Sequence, residues 1–281
     1  MKKNGFISIT VIYSFFLVFL SLMMFIIVNT VTSRNLLNNM KKTIKSDISD
    51  TNFANYLINR YEELGLVKSG NTYRYPGPNP NNYIRYGNTF FRIVGVFNGK
   101  VKLAENPATI RTAAFNSNSN LNDYRISSLR TYLNTEYVAT LGDFANLIDT
   151  SIWYVGGLDD SFKNKSGSEI YEYEVGANKN NGMIIYDKIG IPYISDYVYS
   201  NDGTGYDIIV KGVNNWLFKT NMWFIVKNNS DLISSYYLTT SGMLDTAVVS
   251  EEKSILPVFY LKGSVKYVSG SGTASNPYYV G

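Results

Sequence analysis

Residues 5–28 read GFISITVIYSFFLVFLSLMMFIIV, and no charged side chain stands between Lys3 and Arg34. At about 1.5 Å of rise per residue, a helix over residues 6–28 is roughly 35 Å long, enough to cross a hydrocarbon core of about 30 Å. The remainder is polar, rich in tyrosine and divided into short apolar runs. The expected organisation is one membrane-spanning anchor carrying one exposed domain.

Composition narrows the chemistry. A length of 281 residues suits an anchor plus one domain, at most two. The net charge of +4 is spread without a basic block, so nucleic acid is not an expected partner. The chain has no cysteine and no histidine. That excludes thiol nucleophiles, disulfides, zinc fingers, histidine-ligated haem and a Ser-His-Asp triad. The 24 tyrosines and 15 phenylalanines fit a β-rich surface domain, where they fill strand cores and edges. They also suit a binding face. No metal or cofactor is expected.

Lys2 and Lys3, then Gly5 and Phe6, then the long apolar run form one pattern. It resembles the N-terminus of type IV prepilins and pseudopilins over about the first forty residues. The resemblance implies cleavage after Gly5 by a prepilin peptidase, methylation of Phe6, and assembly with other pilin subunits. The family's usual acidic residue would fall at Thr10, so the implied role is a minor or tip-type subunit. The alternative is an uncleaved signal anchor. The flanking charges (Lys2 and Lys3 before the span; Arg34, Lys41 and Lys42 after it) favour the opposite orientation when counted alone. The resemblance and the character of the domain place the C-terminal part outside the cell.

Leu37, Met40, Ile44 and Ile48 continue an apolar helical stripe past the membrane. Ser49, Asp50 and Thr51 offer an N-cap for a helix over residues 53–64, ended by Gly65, with Phe53, Tyr56, Leu57 and Tyr61 on one side. Pro76, Pro78 and Pro80 then break the helical regime. The domain plan is a leader (1–5), a transmembrane helix (6–28), a stalk helix (29–65), a linker (66–82) and a head (83–281). In the head, residues 88–97 and 100–104 flank Asn98-Gly99, a type I′ hairpin signal. Helices are expected over 125–137 and 143–148, with Leu129, Tyr132 and Leu133 inward. Residues 116–123 and 159–168 read as loops and 201–205 as a turn. Strands are expected over 151–155, 170–175, 183–186, 223–226, 236–240, 246–249, 258–261 and 265–268. The class is α+β.

The string YRYPGPNPNNYIRYGNTFFRIVGVFNGKVKL (73–103), the later Leu129, Leu133, Trp153 and Gly156-Gly157, then Ile189-Gly190-Ile191 and Ser195-Asp196-Tyr197, and the close PVFYLKGSVKYVSGSGTASNPYYV (257–280) belong together. They resemble a surface-domain family of Gram-positive gut bacteria. That family is regarded as C-type-lectin-like and related in fold to formylglycine-generating enzymes. The resemblance implies a C-type-lectin-like mixed α+β head. Leu256 and Val198 depart from the family pattern, which usually has arginine and glycine there.

The enzymatic branch of that fold needs cysteines, which this chain lacks. The Glu-Pro-Asn, Gln-Pro-Asp and Trp-Asn-Asp motifs of calcium-dependent sugar binding are absent too. Residues 201–207 carry oxygen ligands but too few carboxylates for an EF-hand loop, and read as a turn. Glu172 and Glu174, two apart on an expected strand, share a face and read as a solvated strand surface or as a glycosidase pair. Trp153, Trp216 and Trp223 read as core packing or as ligand-stacking anchors. The loops 159–165 and 201–207, with Asp159, Asp160, Asp202 and Asp207, are the place for a recognition face. Two functions follow. One is a membrane-anchored, surface-displayed pilin-like protein whose head mediates adhesion or assembly through a glycan or protein ligand. The other is a signal-anchored hydrolase acting on cell-wall or glycan substrates.

Overall fold

The computed structural model describes residues 9–49, 52–176, 183–203 and 215–281. The chain divides into two compact units, residues 1–50 and 51–281. In the first, a single helix, α1 (Ile9–Ser49), runs for 41 residues, or about 60 Å. Its apolar stretch, Val11–Asn38, is long enough to cross a membrane, and none of it is buried within the protein. The expected membrane segment, from residue 9 on, and the first part of the expected stalk are thus one continuous helix. The processing residues Gly5 and Phe6 lie outside the described residues.

The second unit is a mixed α+β body built on two sheets. The seven-stranded sheet runs in the order Val67–Ser69, Thr72–Arg74, Thr89–Phe97, Lys100–Glu105, Val258–Tyr260, Ile189–Gly190, and Tyr83–Tyr86 also pairs with Thr89–Phe97. The six-stranded sheet runs Leu244–Val248, Ser234–Leu238, Met222–Asn228, Glu252–Ser254, Thr112–Ala114, with Gly157–Leu158 also on Met222–Asn228. Two small pairs, Ser151–Tyr154 with Ile184–Asp187 and Tyr267–Ser269 with Tyr279–Val280, complete it.

The central hairpin forms where the sequence places it. Asn98 and Gly99 sit at φ 50° and 76°, the positive pair that a type I′ turn requires. From Phe91 to Val96 the leading strand is buried on both faces, which is why it reads as an apolar run and not as an alternation. Gly95 is needed there, because a Cβ at that position would come 2.1 Å from the Tyr73 carbonyl oxygen.

Local structure departs from the sequence expectations in several places. The helix after residue 52, α2 (Phe53–Asn59), is capped by Asn52, whose side chain accepts from the Asn55 amide. It stops well short of residue 64. Arg60 leaves helical geometry, and the Leu66 amide reaches back to the Tyr61 carbonyl, so residues 60–65 form a tight turn closed by Gly65 at φ 77°. The expected linker 66–82 instead contributes two strands to the larger sheet and a fully buried Tyr75. The prolines follow these strands, so they do not interrupt their pairing. The expected helix 125–137 is segmented into a 3-10 turn at Tyr124–Ile126, α3 (Ser128–Tyr132), a wider turn at Leu133–Tyr137 and α4 (Val138–Thr140). Leu129 and Leu133 are buried as anticipated, but Tyr132 is only half-buried, and Tyr137 is the third inward residue.

The largest departure is at 170–175, expected as a strand. It lies in α5 (Gly167–Glu174), because Ser166 and Glu169 form a reciprocal capping box. The Glu169 amide donates to Ser166 Oγ at 3.3 Å, and the Ser166 amide donates to Glu169 Oε2 at 3.0 Å. A further helix, α6 (Ile194–Asp202), follows Pro192 and ends at Gly203, φ 83°. Residues 201 and 202, expected in a turn, are its last two. The ends of the body meet: the Phe53 amide donates to the Val265 carbonyl at 2.8 Å, and Tyr56 stacks on Tyr267 at 3.9 Å between ring centres.

Candidate functional site

Four ionisable side chains converge beneath the larger sheet. Arg74 ends its strand, Lys102 lies mid-strand, Glu174 ends α5, and Asp196 lies in the first turn of α6. Their exposures are 2%, 0%, 4% and 2%, so the body carries a charge cluster in its interior. Lys102 Nζ pairs with Asp196 Oδ2. The same oxygen accepts from the Tyr193 amide at 3.0 Å, which ties the ion pair to the start of α6. Glu174 accepts from the Ile194 amide at 2.9 Å and the Ser195 amide at 3.0 Å. It thereby satisfies two of the donors that a helix N-terminus leaves open, with favourable dipole geometry.

Burial raises the Glu174 carboxyl to about 7, against the bonds from Ser195 and Ile194 that favour the charged form. Burial lowers Lys102, with Asp196 opposing. Burial likewise lowers Arg74, again opposed by Asp196. The Arg74 guanidinium differs from the other three groups. Among the described residues none of its three nitrogens has a hydrogen-bond partner. It is held between rings, 3.9 Å from the centre of Tyr199 and 4.9 Å from those of Tyr171 and Phe97.

A cavity of about 220 Å³ lies against this cluster. Its walls include Arg74, Lys102 and Asp196, the rings of Phe97, Tyr171 and Tyr260, and polar groups of Asn98, Ser151 and Ser195. Lys100, also on the wall, is paired with Asp149. A wider groove of about 860 Å³ shares Asn98, Tyr171 and Val175 with the cavity, so Tyr171 borders both.

The residues singled out from sequence do not gather here. Trp153 and Trp223 are fully buried and Trp216 nearly so. Each indole N–H donates to a backbone carbonyl: Trp153 to Asp187 at 3.1 Å, Trp216 to Tyr75 at 2.7 Å, Trp223 to Ala113 at 3.1 Å. In this conformation they pack the core and offer no face for stacking. The Trp153 ring centre lies 5.4 Å from Lys102 Nζ. Asp159 caps the 3-10 turn at Asp160–Asn164 through the Ser161 amide, and Asp160 pairs with Lys163 at 3.2 Å. Asp202 is the last residue of α6, and Asp207 lies outside the described residues. Glu172 and Glu174 do not share a face. Two positions apart on a helix they point to nearly opposite sides, and Glu174 alone is buried.

The sequence reading missed Arg74, Lys102 and Asp196 as a site and read Glu174, with Glu172, as a solvated strand surface or a glycosidase pair. One signal was present: Lys102 interrupts the apolar strand residues Val101, Leu103 and Ala104. Among the described residues no group of three or more aspartate or glutamate side chains is placed to hold a metal ion. No protein-family model, curated protein or solved structure matches the chain.

Proposed function

We propose that the chain is a membrane-anchored, surface-displayed protein of pilin-like type, a minor pilin or pseudopilin whose lectin-like body mediates adhesion or pilus assembly. The observation that carries this reading is Val11–Asn38, an apolar helical stretch with no part buried in the protein, ahead of a separately folded body. An apolar surface of that length needs lipid or other apolar helices around it. The pattern Lys2, Lys3, Gly5, Phe6 supports prepilin-type processing over a plain signal anchor. The meeting of the body's two ends supports a self-contained head, and the lectin-like assignment rests on the resemblance of residues 73–103 and 257–280. In this reading the body binds and does not hydrolyse. The carboxylates of its buried cluster are already engaged, Glu174 by two backbone amides and Asp196 by Lys102 and the Tyr193 amide.

The chain's lack of cysteine makes a clean topology test. Ala274 is exposed, and Ala274→Cys introduces one thiol. Intact cells expressing this variant are treated with a membrane-impermeant maleimide. Labelling before lysis is the expected result. Labelling only after lysis would place the body inside the cell and reject the proposal.

A further inference from the structure

We propose that the cavity beside Arg74 and Lys102 is a binding site for a small organic carboxylate, about the size of one six-membered ring. This is independent of how the N-terminus is processed.

The first argument is the state of Arg74. A buried guanidinium with no acceptor is costly, because it has given up hydration without replacing those bonds. Lys102 has Asp196 as its counter-ion, and Glu174 is occupied by the α6 amides. Among the described residues Arg74 is the member of the cluster whose guanidinium has no hydrogen-bond acceptor: rings pack against it, and Asp196 acts on it only as a nearby charge. Its planar fork of donors matches a carboxylate in two-point geometry, which no aromatic ring supplies.

The second argument is the cavity. Its volume of about 220 Å³ accommodates one ring, and Phe97, Tyr171 and Tyr260 supply flat apolar walls. Asn98 and Ser151 supply polar groups for substituents on that ring. The guanidinium nitrogens are covered in the free protein, so the carboxylate reaches them by displacing a ring. Of the rings on Arg74, Tyr199 is closer but buried, whereas Tyr171 is half-buried and lines both the cavity and the wider groove, so the displacement is assigned to Tyr171.

The test uses the full-length chain in detergent micelles, with thermal unfolding followed by tryptophan fluorescence. Sodium glucuronate and sodium benzoate are titrated against sodium chloride at equal ionic strength. At tenfold above Kd, binding raises Tm by about 3 °C for a body of this size. A response to glucuronate identifies a hydroxylated ring as the ligand, and a response to benzoate an aromatic one. Arg74→Met is expected to raise the Tm of the free protein, since it removes a charge without acceptors, and to abolish the ligand shift. Arg74→Lys keeps the charge but loses the fork, and is expected to weaken binding at least tenfold. The proposal is overturned if neither carboxylate shifts Tm beyond chloride, or if the shift survives in both variants. An Arg74→Met chain that is less stable and keeps its ligand response would show that Arg74 serves only the ring packing.

Discussion

Lys102 and Asp196 form an ion pair whose side chains are 1% and 3% exposed, joining the middle of the central sheet to the first turn of α6. Both have surrendered hydration, so each depends on the other far more than a surface pair would. This link sets the position of α6, and through Glu174 that of α5.

Lys102→Met alone leaves the Asp196 carboxylate buried without its cation. The expected loss is about 3–5 kcal/mol of folding stability. Asp196→Asn added to it removes the orphaned charge while keeping an acceptor for the Tyr193 amide, and the double variant should be more stable than Lys102→Met alone. Urea denaturation of the full chain in micelles measures both. With Asp196→Asn measured alone as well, a double-variant loss equal to the sum of the two single losses would mean that the two side chains are not coupled.

Glu174 makes stability depend on pH in a defined direction. Its folded value of about 7 lies above the ordinary value of about 4.3 for an exposed glutamate. Between these values the folded state binds more protons than the unfolded one, so stability is greatest at the acid end and falls as pH rises to about 7. The fall is about 4 kcal/mol at most. With no histidine in the chain, little else titrates in the window from pH 5 to 7. Asp196, Ile194 and Ser195 face this carboxyl from α6, Lys102 from the larger sheet, and the Tyr193 hydroxyl also feels its charge. Glu174→Gln is expected to flatten the pH profile of Tm, and an unchanged slope would assign the effect elsewhere.

The capping box at Ser166 explains why residues 167–174 are helical against the β-forming character of Ile170, Tyr171 and Tyr173. Ser166→Ala should cost about 1 kcal/mol and speed hydrogen exchange at the first amides of α5, whereas Ser166→Asp, an equally good cap, should restore both. Failure of aspartate to restore them would show that the cap does not hold the helix.

These elements mark the limit of what the sequence made legible. The hairpin at Asn98-Gly99 was readable because its information is local: two residues able to take positive φ between apolar runs. The apolar helix was readable because length and absence of charge suffice. Helix α5 was misread, although Ser166 and Glu169 stood at capping-box spacing, because Ile170 and Val175 were weighed as strand formers. Helix α6 was missed for a related reason: residues 194–200 are buried all round, so no polar face marks a helical period. Beyond Lys102 inside an apolar strand, the site was not readable. Arg74, Lys102, Glu174 and Asp196 lie up to 122 positions apart, counting from 74 to 196, and nothing in the local pattern of any one of them names the others.

The most direct test of the proposed function is the N-terminus of the protein isolated from membranes and from sheared surface material, determined by mass spectrometry. The account predicts a chain that begins at an N-methylated Phe6. A chain that retains Lys2 and Lys3 would contradict prepilin-type processing, and with it the assignment as a pilin-like subunit.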